Sequence, residues 1–231
     1  MNDKERIIGI FMVITIALSF ALCMFFTRDK IYSGEDFDIE KYESPYDTDG
    51  DGIDDQSDVL LSAREYLATN PQYKSKYYDG GYPSDNYGVC TDVVAFALRG
   101  AGFDLMELLD ADVALAPGEY TIEKADKNID FRRVVNLRVF FERNALSLTT
   151  DTKAIDQWQG GDIVVWEHHV GVVSDRRTRR GITYVLHNGS PEQKEYEQDI
   201  LSSGGGLYDQ NIVGHYRIDA SLLKDLLEYA K

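Results

Sequence analysis

Residues Ile7 to Phe26, IIGIFMVITIALSFALCMFF, form an uninterrupted apolar run without a single charge. As a helix rising ~1.5 Å per residue, the run is about 30 Å long, the thickness of a bilayer's hydrocarbon core. Residues 1–30 are therefore expected to be one transmembrane anchor, and everything with mixed polarity must fold after it. A cleaved signal would have a shorter apolar stretch and small residues at its end, whereas this one closes as LCMFFTRDK. Leu22 before Cys23 also fits a lipoprotein signal poorly, so the anchor is read as uncleaved. Lys4 and Arg6 on one flank balance Arg28 and Lys30 on the other, so flanking charge does not orient it. Cys23 lies within the run, out of reach of the other cysteine, Cys90, which is read as a free thiol.

The formal net charge of -16 is concentrated. Between Glu35 and Asp58 there are eleven acids and one base, Lys41, and no basic face for nucleic acid is visible anywhere. Inside this segment, DTDGDGIDDQSD places Asp47, Asp49, Asp51, Asp55 and Asp58 at loop positions 1, 3, 5, 9 and 12, with Gly52 at position 6. That is the ligand spacing of a twelve-residue calcium loop, in which Ile53 supplies a backbone carbonyl. The loop resembles thrombospondin type 3 and dockerin calcium repeats. Pro45 and the aperiodic approach argue against an entering helix, while VLLSAREYLAT from Val59 reads as an exiting one. Residues 31–58 are thus expected to be an acidic linker carrying a structural Ca²⁺ site; the plainer alternative is a solvated acidic linker. Such loops bind calcium at about 10⁻⁴ to 10⁻³ M, which is useful outside the cell.

Residues 59–231 are expected to form one domain, consistent with a chain of 43% hydrophobic and 28% charged residues. Helical periodicity marks 59–69, 90–100, 105–115 and 132–144. Short β-branched runs follow at 162–166, 169–175, 182–188 and 211–218, and ASLLKDLLEYAK closes the chain as an amphipathic helix. Helices first and a meander of strands afterwards predict an α+β domain with a small antiparallel sheet. RRTRR, Arg176 to Arg180, reads as a solvated hairpin turn, and Gly204 to Gly206 as a mobile loop.

In DNYGVCTDVVAFALRGAG the positions Val93, Val94, Ala97, Leu98 and Ala101 recur at helical spacing, and Gly102 is a stop. Cys90 then falls in the first turn, where unpaired amides and the helix dipole favour a thiolate and could hold an oxyanion. A buried free cysteine is also commonly just a small apolar residue. Imidazole is the natural base for a thiol near neutrality, and the chain has four: His168, His169, His187 and His215. His169 opens one predicted strand and His187 ends the next, so a hairpin could bring them together.

A cysteine at a helix start, a histidine on the next sheet and a polar third residue on the following strand resemble the NlpC-type branch of papain-like cysteine peptidases. More closely, GGYPSDNYGVCTDVVAFALRGAG, NIDFRRVVNL, WQGGDIVVW, HVGVVSD, LHN and GHYR resemble the bacterial domain-of-unknown-function family 1287, over about residues 60 to 218. The family pattern often carries histidine where this chain has Phe131. The resemblance implies Cys90 as nucleophile, His169 as general base and later acid, and His187 or Asn188 as the residue that orients the imidazole. It implies bystander status for His168, a structural or cleft role for His215, and a hydroxyl or packing role for Tyr87. NlpC-type enzymes mostly cut amide bonds in bacterial cell-wall peptides, so the expected activity is that of a membrane-anchored, extracytoplasmic amidase or endopeptidase. A calcium-stabilised wall-binding module without turnover, or a papain-like acyltransferase or lipid hydrolase, are the alternatives.

Overall fold

The structure, a computed structural model, describes residues 31–202 and 211–230 together with Met12. The expected membrane anchor, with Cys23, and the run Gly204 to Gly206 lie outside the described residues. Among those described, no helix is long and apolar enough to cross a membrane. Residues from Tyr32 onward form one compact unit.

In chain order the unit contains α1 (Asp55–Ala68), β1 (Gln72–Tyr73), β2 (Tyr87–Gly88), α2 (Cys90–Gly100), α3 (Leu105–Leu115), α4 (Lys127–Asp130) and α5 (Val134–Asn144). Then come β3 (Leu146–Ser147), β4 (Ile163–Trp166), β5 (Val170–Arg177), β6 (Thr183–Leu186), β7 (Glu197–Gln198), β8 (Ile212–Arg217) and α6 (Ala220–Tyr229). The main sheet has the order β3-β8-β4-β5-β6-β7 and is antiparallel throughout. β1 and β2 form a small separate parallel pair. The expected α+β class with an antiparallel sheet is what the chain adopts.

Apolar runs such as IVVW make sense because the sheet is covered on both faces. Ile163 and Val165 pack with the helices, whereas Val164 and Trp166 pack with Trp158, Val173, Val185 and Leu201. α2 is the innermost helix: Val93, Val94, Ala95 and Ala97 are completely buried. It ends in a 6→1 closure, with the Phe103 amide donating to the Leu98 carbonyl at 2.9 Å and Gly102 at φ +84°. A Cβ on Gly100 would lie 1.9 Å from Ser62 Oγ, so α1 and α2 approach as closely as they do only because that residue is glycine.

The other end of α2 is fixed by a buried ion pair. Asp92 accepts from Arg132 Nε at 2.6 Å and from Nη2 at 2.9 Å, and the side chains are 0% and 1% exposed. Asp92 also accepts the Val89 amide at 2.8 Å, and Arg132 donates onward to the Lys76 carbonyl at 2.5 Å. Thr91 Oγ1 donates to the Arg132 carbonyl, so two consecutive residues of the first turn hold the same arginine. Each guanidinium nitrogen and each carboxylate oxygen of the pair has a partner, the condition under which a buried charge pair is tolerated.

Two sequence expectations change. The helix predicted from Val59 starts at Asp55, capped by Asp54, which accepts the Ser57 amide. The sequence RRTRR is not a fully solvated turn: β5 runs through Arg177, which is 2% exposed and donates to the carbonyls of Ile155, Gly181 and Trp158. Those convergent carbonyls engage both terminal nitrogens of the guanidinium, and the turn itself is confined to Thr178–Gly181. Residues 32–58 lie on the domain: Tyr32 and Arg177 exchange backbone bonds of 3.0 and 2.7 Å, and Gln159 donates to the Glu40 carbonyl.

Arg132→Met leaves Asp92 buried without its counter-charge. It should lower the unfolding free energy by roughly 3–5 kcal/mol, and adding Asp92→Asn should recover part of the loss. Urea unfolding followed by the fluorescence of buried Trp158 and Trp166 measures both.

Candidate active site

Cys90 is the first residue of α2, entered from Val89 in extended conformation at φ -135°. The thiol is buried, and the backbone amides of Val170 and Thr91 act on it in favour of the anion. Val170 follows His169 directly, so the sulfur is seated beside the strand start that carries the imidazole. Burial pushes the thiol up to about 11, against the opposing effect of the amides. The expectation of a resting thiolate is thus reversed, because desolvation of the anion outweighs the helix-start donors.

His169 and His187 come together at neighbouring ends of β5 and β6. The Trp166 amide donates to the His169 carbonyl at 2.8 Å and closes the β4–β5 hairpin, while the His187 amide donates to the Tyr196 carbonyl at 2.9 Å. Their rings are nearly perpendicular, and His169 Nε2 lies 3.0 Å from His187 Nδ1. His187 Nε2 in turn lies 3.0 Å from Gln198 Oε1. An amide oxygen can only accept, so His187 carries its proton on Nε2 and its Nδ1 is an acceptor. His169 must then donate through Nε2, which leaves Nδ1 of His169 as an unprotonated base. A single amide oxygen therefore sets the tautomers of two rings.

Both rings are held neutral. Burial lowers His169 to about 3, helped by His187, and lowers His187 to about 4 against the Gln198 bond. Space for the pair depends on Gly189, where a Cβ would sit 3.1 Å from His187 Nδ1 and 3.2 Å from His169 Cε1. Sequence reading missed Gln198. It lies in a two-residue strand inside a polar stretch, and only the register Val185↔Gln198 reveals its position.

The other candidates separate cleanly. Asn188 is buried, and its Nδ2 donates to the carbonyls of Pro71 and Gly88 at 2.9 and 3.2 Å, bracing the turn before Cys90. His168 is exposed at the hairpin tip. His215 stacks on Trp158 at 3.8 Å and bonds Asp162 Oδ2 and the Thr149 carbonyl, so it belongs to a buried structural cluster with Arg217. Tyr87 carries the ammonium groups of Lys74 and Lys76 over its ring. Phe131 is fully buried against Tyr82.

In the acidic loop, carboxylate oxygens of Asp47, Asp49 and Asp51 lie within 4.8 Å of one another. Both Asp55 oxygens accept from Thr48, one from its amide and one from its hydroxyl. Asp58 Oδ2 is buried without a partner. Burial, with the charges of Asp51, Asp49, Asp55 and Asp47, raises Asp58 to about 6.

The chain is an α+β domain with a thiol at the start of α2 and two bonded imidazoles on the antiparallel sheet against which that helix packs. The chain belongs to the family described as Domain of unknown function (DUF1287), whose profile matches residues 60–218. It is 39% identical over 161 residues to the Uncharacterized protein YijF of Escherichia coli (strain K12), covering 65% of this chain and 74% of that protein. All the residues of the thiol–imidazole site lie within the family region, whereas the acidic loop lies before it.

The two imidazoles make a signed pH prediction. Their folded values are depressed below 6.5, so below that pH the unfolded chain binds protons that the folded one refuses. Stability should fall on acidification from pH 7 to 5 by about 2 kcal/mol per ring. His187→Gln should lose less over that interval than the parent chain, and identical losses would contradict buried neutral rings.

Proposed function

We propose that this domain is a cysteine hydrolase of the NlpC-type papain-like branch, cutting amide bonds of cell-wall peptides. The observation that carries the reading is the relay from Gln198 through His187 to His169, the residue just before Val170, whose amide acts on the buried thiol of Cys90. With its Nε2 committed to His187, His169 offers Nδ1 to the thiol proton. Because the resting thiol is protonated, His169 acts as general base during attack rather than within a preformed ion pair.

In the forward step the Cys90 sulfur bonds to the amide carbonyl as its proton passes to His169. Amides at the start of α2 stabilise the oxyanion. His169 then protonates the departing amine, the C–N bond breaks and a thioester remains. Water attacks that thioester, giving its proton to His169, and the collapsing intermediate returns the proton to sulfur. Gln198 and His187 keep the ring in the tautomer that each of these transfers requires.

The apolar run Ile7 to Phe26 supports attachment to a membrane, with the domain on the outer side where wall peptides are found. Burial of the thiol specifically favours a second reading, in which the cleft binds wall peptides without turnover. Papain-like sites that transfer acyl groups or hydrolyse lipid esters share the same first step.

Digestion of purified peptidoglycan by the detergent-solubilised chain, with fragments identified by mass, tests the proposal. Cys90→Ala should abolish release, and His169→Ala should reduce it by on the order of 10²–10⁴-fold. Gln198→Leu should lower kcat with little change in KM, since it frees the tautomer without touching substrate. Saturable binding without fragments would favour the wall-binding module, and products carrying an added amine would show transfer. Undiminished release by Cys90→Ala would overturn the assignment.

A further inference from the structure

Asp58 presents a buried carboxylate oxygen that no donor satisfies among the described residues. The residue is 5% exposed, and the oxygen is its Oδ2. A buried carboxylate oxygen left without a donor is costly, and the largest charges acting on it come from the loop carboxylates of Asp51, Asp49, Asp55 and Asp47. The nearby base, Lys41, is engaged elsewhere, with Ser57 Oγ at 2.8 Å and Glu43 at 3.7 Å. The neighbours of Asp58 are instead the loop acids, three of which already converge.

We infer that the loop Asp47–Asp58 binds one calcium ion through the carboxylates of Asp47, Asp49, Asp51 and Asp58, with the Ile53 carbonyl completing the set. Asp55 stands outside this ligand set: its oxygens accept from Thr48 and do not join the three convergent carboxylates, whereas Asp47, which accepts the Gly50 and Gly52 amides, does join them. This departs from the ligand spacing read in the sequence, where Asp55 holds position 9. The donor set is entirely oxygen, without histidine or cysteine, and it sits on a turn with Gly50 at φ +80° and Gly52 at φ +96°. Oxygen ligands on a pliable loop suit calcium better than the near-ideal octahedron magnesium requires or the softer donors zinc prefers.

The position of the loop gives the ion a structural task. Asp58 lies in the first turns of α1, and Asp54 caps that helix while also accepting the Ser44 amide at 2.8 Å. On its other side the loop rests on Gly102, where an added Cβ would approach Asp49 Cβ to 3.1 Å. The ion thus ties the acidic segment to α1 and presses it onto the far end of α2, the helix that begins with Cys90. This inference is independent of the hydrolase reading, since it requires only the loop and the two helices.

The test is terbium luminescence on the full detergent-solubilised chain after EDTA treatment and removal of the chelator. Tyr46 adjoins the loop and is exposed enough to sensitise a bound lanthanide. Calcium should displace terbium with half-saturation near 10⁻⁴ to 10⁻³ M and raise Tm beyond an ionic-strength control. Asp58→Asn should weaken displacement at least about tenfold, whereas Asp55→Asn should stay within about twofold of the parent. Should Asp58→Asn fail to fold, the exposed Asp49→Asn carries the same expectation of loss. No sensitised signal, equal displacement by magnesium, or parent-like affinity in Asp58→Asn and Asp49→Asn would overturn the inference.

Discussion

The buried pair between Asp92 and Arg132 is the interaction on which the site depends. Asp92 lies two residues after Cys90, and its carboxylate holds both the arginine and the Val89 amide that begins the helix. Through Arg132 the same point reaches the Lys76 carbonyl and the segment before α5. A nucleophile at a helix start is useful only if that start is immobile. For Cys90, the proposed nucleophile, that start is held by one charge pair whose partners come from positions forty residues apart. A well-packed apolar substitute for such a pair often folds as well, so its role here is read from the groups it joins rather than from net stability.

Around the sulfur the electrostatic design is neutral rather than ionic. Burial raises the thiol and lowers both imidazoles, so no group in the relay carries charge at rest. In the proposed mechanism, charge develops only when a proton moves from Cys90 to His169. In a dry site that moment is costly unless fixed dipoles stand ready, and the amides of Thr91 and Val170 supply them at the sulfur. The resulting imidazolium remains bonded to His187, whose own orientation is set by Gln198.

Much of this was legible in the sequence because it rests on local periodicity. The α+β order, the start of α2 at Cys90 and the meeting of His169 with His187 all follow from helix spacing and strand boundaries. Choosing between His187 and Asn188 as a partner for the imidazole required tertiary contacts, since adjacent residues at a strand end are indistinguishable by spacing. Gln198 was invisible for a related reason: it arrives by strand register from a two-residue strand. Arg132 and Arg177 mislead in the same way, because composition marks arginine as solvated while convergent carbonyls or a carboxylate can bury it. The acidic segment read as a linker, yet its polar atoms answer groups in the domain, such as Gln159 and Arg177.

The central claim is that catalysis passes through the sulfur of Cys90. Cys23→Ser leaves that thiol as the sole cysteine of the chain, so alkylation at raised pH modifies one known atom. Wall-peptide hydrolysis and the fraction of thiol alkylated can then be measured on the same sample. Activity should fall in direct proportion to alkylation, and substrate should slow both losses together. Hydrolysis that survives complete alkylation of Cys90 would contradict the account.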